Sequence, residues 1–248
     1  MLQCYFDDSG THDNAKVVAW GGLVGNVDAF EKLDTAWRRA LSLSIEGKPP
    51  LEKFSLSHCA NAWDEFADYK PAERDLVRRT FRNLIIEHDV APIAFTVSVR
   101  DWNAASTPVD RMLLGDAQNL AFFGCLDATG KIAGATGDSV SCHFDQGQAG
   151  IPLNSVLAAY QFMHPEHRDR ISISFSSVIA LTGLQAADTI AYEAYQYGLH
   201  LEDPKTHPLN PHFTDLVNRK GAIFLSLHRK EIDEFLIQWR KIMRFLLG

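Results

Sequence analysis

The sequence predicts an α/β fold, a mixed sheet flanked by helices with a helical insertion and a C-terminal helix, on three observations. Runs in which apolar residues alternate with period two are interleaved with runs in which they recur every three or four residues. Hydrophobic residues make up 46% and charged residues 22% of the 248, close to the ~45–50% and ~25% of ordinary globular domains, so a buried core is within reach. No internal repeat, low-complexity block or long Gly/Ser linker divides the chain, which predicts one domain over 1–248 with the helical insertion at about 59–88.

The first element is a strand over 2–7, with Leu2, Cys4 and Phe6 on one face and Gln3, Tyr5 and Asp7 on the other. A turn-forming link leads to a second β-like run over 16–24, and the two read as an opening hairpin. Within that run Gly21 and Gly22 mark close packing or a bulge. A helix follows at 27–44, where Phe30, Leu33, Trp37 and Leu41 recur at helical spacing. Helical patterns then cover 59–69 and 71–88, the second opening on Pro71, whose missing N–H costs nothing in a first turn. Residues 91–99 read as a strand, 109–126 as a long helix and 139–145 as a strand with Val140, Cys142 and Phe144 on one face. Next come a helix at 153–163, a strand at 171–178 and a helix at 183–197. The His- and Pro-rich segment 200–212 reads as irregular. A last amphipathic helix at 229–246 shows a core stripe of Ile232, Phe235, Leu236, Trp239, Ile242, Met243 and Leu246. An opening hairpin, then helix, strand, helix and strand, is the order that a ribonuclease H-like sheet requires.

Composition also excludes several classes. With 24 Lys and Arg against 31 Asp and Glu the formal charge is −7, the wrong sign for a broadly cationic binder of nucleic acid or anionic membrane, although a local basic groove is compatible with it. No apolar stretch approaches the ~20 residues of a membrane span, and MLQCYFDDSG lacks the basic and apolar regions of a leader. The expectation is a cytoplasmic protein without a membrane partner. Cys4, Cys59, Cys125 and Cys142 are scattered without a CxxC pair, as expected of reduced thiols rather than a zinc cage or disulfide framework.

The chemistry rests on carboxylates. Asp7 and Asp145 each close a predicted strand, and ligands of open α/β sheets gather at carboxyl ends of strands. On parallel neighbouring strands ~4.8 Å apart, the two side chains meet over one small volume. Carboxylates that close repel unless a proton or cation lies between them, and a hard ion such as Mg2+ or Mn2+ takes oxygen ligands. Asp188 is the third candidate, in a predicted helix of small residues with Gln185 and Tyr192 as wheel neighbours, whereas Glu193 is rotated ~140° away. Each Asp taken singly also fits an ordinary turn, cap or ion-pair role.

Three motifs carry a resemblance. Tyr5-Phe6-Asp7-Asp8-Ser9-Gly10, Phe144-Asp145 after a short strand, and Gly183-Leu184-Gln185-Ala186-Ala187-Asp188-Thr189-Ile190-Ala191 resemble, in order, the conserved segments of the domain-of-unknown-function family numbered 3800 (DUF3800). The resemblance implies a ribonuclease H-like fold in which Asp7, Asp145 and Asp188 form a metal-binding catalytic cluster. Asp8 stands where that family usually has Glu, and being adjacent to Asp7 in a strand it points away unless the chain turns there. Near 54–58 related sequences often carry a His; this chain has His58, with Asp64 as a substitute for a fourth carboxylate.

The expected activity is divalent-metal-dependent hydrolysis of phosphodiester bonds, as a nuclease on DNA or RNA bound in a local groove. In that reading Asp7 bridges the ions, with Asp8, His58 and Gln185 as accessory residues and His58 or His12 as a proton shuttle. The alternatives are a non-catalytic ribonuclease H-like binding or assembly module, and hydrolysis of a small phosphate ester; oligomeric state is left open. Two further features read as bland. Arg74, Arg78 and Arg82 share a helix face that either tracks phosphates or is simply solvated, and His200, His207 and His212 are too irregularly spaced for a metal site.

Overall fold

The computed structural model describes every residue except 44, 46, 146–159, 162, 163, 168, 211, 212 and 248, and the backbone alone at 242, 243 and 245–247. Six strands form one mixed sheet: β1 (Leu2–Ser9), β2 (Val17–Asn26), β3 (Val90–Ser98), β4 (Val140–Asp145), β5 (Ile171–Ser176) and β6 (Ile223–Leu227), in the order β5-β4-β1-β2-β3-β6. β1, β2 and β3 run antiparallel to one another in turn, while β4 lies parallel to β1, β5 to β4 and β6 to β3. This is an α/β architecture consistent with the ribonuclease H-like sheet that the element order predicts.

Alternation in β1 sorts the core into two layers. Cys4 and Phe6 join a cluster with Trp20, Phe122, Phe144 and Trp239, and Tyr5 joins one with Leu23, Trp37, Phe54 and Ile190. The first layer is covered by α4 (Val99–Ala105), α5 (Pro108–Leu114), α6 (Ala117–Thr136) and the C-terminal α9 (Arg229–Leu247). Over the second lie α1 (Val27–Ser42), α2 (Leu56–Asn61), α3 (Pro71–Glu87) and α7 (Thr182–Glu202). A short α8 (Phe213–Val217) precedes β6. Among the described residues no helix is long and apolar enough to cross a membrane. All four cysteines are buried and free of disulfides.

Several boundaries differ from the sequence expectation for identifiable reasons. The helix expected at 109–126 is two helices. Pro108 opens α5 behind a Thr107 cap, Gly115 ends it at φ 80°, and the Asp116 side chain caps α6, which then runs to Thr136. The helix expected at 59–69 is α2 followed by a 3-10 turn at Asp64–Phe66, because the chain leaves α2 through Ala62 at φ 56°. α7 extends through His200 to Glu202, so part of the segment read as irregular is helical. β6 and α8 were in no predicted element. Of the helix expected at 153–163, only residues 160 and 161 are described, and both are helical.

Gly21 and Gly22 serve close packing. A Cβ on Gly21 would lie 2.5 Å from Ala191 N of α7, and one on Gly22 2.0 Å from the Tyr5 carbonyl oxygen. On the helix side, a Cβ on Gly183 would meet the Tyr5 ring at 2.6 Å. Helix and sheet therefore touch backbone to backbone beside the end of β1.

Candidate metal centre

The β1–β4 ladder pairs Tyr5 with His143 and Phe6 with Phe144, so its next step sets Asp7 beside Asp145 at the carboxyl ends of two parallel strands. The rings of Tyr5 and His143 stack at 4.8 Å on the face that Asp7 and Asp145 share by alternation. α7 packs on this same face, across β1 and β2, with Ala191 seated over Gly21, the ladder partner of Asp7. Asp188 is three residues earlier on α7, nearly one turn from Ala191.

Electrostatics tie the carboxylates together. Burial, followed by the negative charges of Asp188, Asp8 and Asp145, holds the Asp7 carboxyl well above the usual range, against one hydrogen bond from the Asp8 N–H to Oδ1 at 2.9 Å. Burial lifts Asp188 to about 6 despite the Leu56 N–H, the Ser55 side chain and the nearby His58 and Lys53, all of which favour its anion. Asp8 is lifted to about 6, again chiefly by burial, with Asp145 and Asp188 adding to the rise and a Thr11 hydrogen bond opposing it. Because β1 continues to Ser9, Asp8 points to the other face, where Gln118 Nε2 donates to its Oδ2 at 3.2 Å. It is at the same end of the strand but not on the same face as Asp7.

The accessory residues fall into different roles. Gln185 is buried, and its polar atoms serve the scaffold: Oε1 accepts from Trp37 Nε1 at 3.0 Å and Phe54 N at 2.9 Å, and Nε2 donates to the Val178 carbonyl at 3.0 Å. It clamps the segment from which the Leu56 N–H reaches Asp188 Oδ2 at 2.7 Å. His58 Nδ1 lies 3.2 Å from Asp64 Oδ2 and 3.5 Å from Glu65 Oε2, so Asp64 is drawn to His58. His12 Nε2 is 3.4 Å from the Tyr195 hydroxyl. Sequence reasoning missed Ser55 and Leu56, since a backbone N–H has no residue signature.

The arginine row is engaged by the protein's own groups to different degrees. Arg74 caps α2 through the carbonyls of Cys59 and Ala60, Arg78 pairs with Asp75, and Arg82 is buried against Glu193 at 2.6 Å. Glu193 also accepts from Asn210, and faces Arg82 instead of the Asp cluster. His200 Nδ1 lies 2.7 Å from the His207 carbonyl oxygen; His212 is outside the described residues.

Three sets of residues elsewhere bring ligand atoms within 4.8 Å of one another among the described residues: His58, Asp64 and Glu65; Asp101, Glu202 and His228; and His164, Glu166 and His167. The Asp7, Asp145 and Asp188 set is not one of them. Compared with known proteins, the chain matches no family model and no curated sequence. The family resemblance therefore rests on the three short motifs.

The donor set nonetheless suits a hard divalent ion. It consists of carboxylate oxygens, and the leading charges acting on Asp7 are all negative, a condition that a proton or a cation relieves.

Proposed function

We propose that this chain is a divalent-metal-dependent hydrolase of phosphodiester bonds, a nuclease or phosphodiesterase, in which Asp7, Asp145 and Asp188 hold Mg2+ or Mn2+. The observation that carries the reading is the juxtaposition of Asp7 and Asp145 at neighbouring parallel strand ends, under the helix that bears Asp188. When bound, the metal would supply activation of water and stabilisation of charge on the phosphate. The chain's own residues do the rest. The Leu56 N–H fixes Asp188, Gln185 fixes the segment that carries that N–H, and Lys53 provides positive charge near Asp188 for an anionic substrate. With an overall charge of −7, nucleic-acid contact in this reading is confined to a local groove and is weak without the metal.

The test is Mn2+-dependent cleavage of single- and double-stranded DNA and RNA, with a nucleotide panel for small esters, by the wild type, Asp7→Asn and Asp145→Asn. Both variants should lose cleavage and weaken Mn2+ binding in calorimetry while keeping the far-ultraviolet dichroism of the wild type. Cleavage that survives in both variants would overturn the assignment. Wild-type protein that neither cleaves nor binds Mn2+ would favour a non-catalytic module.

A further inference from the structure

At the opposite end of the sheet, just before β5, His164-Pro165-Glu166-His167 forms a cluster that the carboxylate centre does not use. His164 Nδ1 lies 3.3 Å from Glu166 Oε1, and His167 Nε2 lies 3.8 Å from the same oxygen. Donors held at Zn–N and Zn–O distances in a tetrahedral array stand roughly 3.3–3.5 Å apart, and here the ligand atoms of the three residues all lie within 4.8 Å of one another, near enough to close on one small cation.

The outer nitrogens each have a partner suited to the tautomers that a metal requires. His167 Nδ1 lies 2.8 Å from the Tyr160 hydroxyl, and His164 Nε2 faces Asp127 Oδ1 at 3.5 Å. That Asp127 oxygen is buried without a hydrogen-bond partner, while Oδ2 is held by Lys131 at 2.6 Å. A proton on His164 Nε2 is directed at the unpartnered oxygen, and a proton on His167 Nδ1 is shared with the tyrosine. With those tautomers the inner nitrogens present lone pairs toward a carboxylate oxygen, three acceptors that a bound cation would satisfy. A second shell of carboxylate and hydroxyl on the outer nitrogens is how histidine ligands are commonly oriented.

The fold makes room for this pair. A Cβ on Gly130 of α6 would lie 2.0 Å from the Tyr160 hydroxyl oxygen and 2.5 Å from His167 Nδ1. The other two sets of close ligand atoms contain one imidazole each. Only here do two imidazoles converge on one carboxylate among the described residues.

We propose that His164, Glu166 and His167 bind one divalent transition-metal ion of the Zn2+ class, with the two imidazoles oriented by Asp127 and Tyr160. Two imidazoles and a carboxylate select such an ion over Mg2+. The site is independent of the carboxylate centre, since Val140 and Ile171 begin the strands at this end whereas Asp145 closes β4 at the other.

The experiment titrates Zn2+ into the metal-stripped full chain against a chromophoric chelator, with Co2+ absorption as a second readout. Wild type and Asp7→Asn should both take up this equivalent. His164→Ala should lose it, and Glu166→Gln, at an exposed position where folding is not at stake, should weaken it at least tenfold. Asp127→Asn should weaken it by ~10–100-fold, as outer-shell changes do. Zn2+ uptake unchanged in both His164→Ala and Glu166→Gln overturns the proposal, as does a wild type whose Zn2+ binding vanishes entirely in Asp7→Asn; an ion-pair cluster alone would give no such uptake.

Discussion

Replacing Glu193 by Gln removes the counter-charge of Arg82 with almost no change of shape. Both side chains are nearly inaccessible, at 3% and 2% exposure, and Arg82 Nη2 contacts Glu193 Oε1 at 2.6 Å. The carboxylate also accepts from Asn210 Nδ2 at 3.0 and 2.8 Å, so the pair is fixed from both sides. Removing one partner of a buried ion pair costs about 3–5 kcal/mol, because the survivor is left as an uncompensated charge. For a chain of this size that corresponds to a melting temperature lower by roughly 6–20 °C. Guanidinium denaturation followed by tryptophan fluorescence measures it directly. Arg82→Leu combined with Glu193→Leu should recover most of the loss, since apolar replacement of a whole buried pair is often neutral or stabilising. A loss in Glu193→Gln below about 1 kcal/mol, the value of an exposed pair, would refute the reasoning. If Arg82→Gln then weakened nucleic-acid binding, the arginine row would be a phosphate track after all.

Two other outcomes follow from the approach of α7 to the sheet and from the acidic centre. Gly21→Ala places a methyl 2.5 Å from Ala191 N and 2.6 Å from its Cα, helix backbone that cannot rotate away; it should lower stability by about 1–3 kcal/mol in urea denaturation and weaken Mn2+ binding by shifting Asp188, and an unchanged midpoint would count against the packing account. Asp8 and Asp188 titrate at about 6 and Asp7 also high in the folded chain, above the ~3.9 of an unfolded Asp, so the folded state binds more protons between ~4 and 6 and metal-free stability falls as pH rises through that window. Asp188→Asn, which keeps an acceptor for the Leu56 N–H, should therefore raise the melting temperature of chelator-treated protein near pH ~7.5 and lose this advantage near pH ~4; a lower melting temperature at the higher pH would show the sign to be wrong.

The parts of the fold legible in the sequence are those fixed by local periodicity. β1 and β4 alternate cleanly, and α1, α3 and α9 lie within a residue or two of the expected bounds, because an apolar stripe or an alternating run is itself the packing instruction. Breaks set by caps and left-handed residues were harder to see. Thr107-Pro108 and Gly115-Asp116 are turn signals embedded in an apolar run, and Ala62 adopts φ 56° against its own preference. β6, five residues long, is too short to be told from a loop by pattern alone. At the candidate site, the places of Asp7 and Asp145 at strand ends were readable from alternation, whereas their neighbourhood depends on the sheet order that sets β4 beside β1. Gln185 was readable as a neighbour of Asp188 but not as a clamp, since its partners Trp37, Phe54 and Val178 are distant in sequence. The buried pairing of Arg82 was hidden for the same reason: helical spacing shows which side chains share a face, and only tertiary contact shows what the face meets.

How this chain treats its other buried carboxylates bears on the acidic end of the sheet. Glu193 is matched by Arg82, and Asp110 by Arg240, whose Nη2 lies 2.5 Å from Asp110 Oδ2. For Asp110 the arginine and the Thr107 donors hold the carboxyl below its usual range, so the anion is stable without help. Asp7 differs. Its hydrogen-bonded donor is the Asp8 N–H, and the leading charges around it are the carboxylates of Asp188, Asp8 and Asp145. Asp188 has a backbone N–H, a serine and more distant His58 and Lys53, which together do not offset its burial. The sequence supplies an arginine to each of two structural carboxylates yet surrounds Asp7 with further negative charge, and the proposed divalent cation would relieve that repulsion, as a proton does in its absence. The same contrast predicts a change of sign: Asp110→Asn should destabilise the metal-free chain, by stranding Arg240, where Asp188→Asn stabilises it.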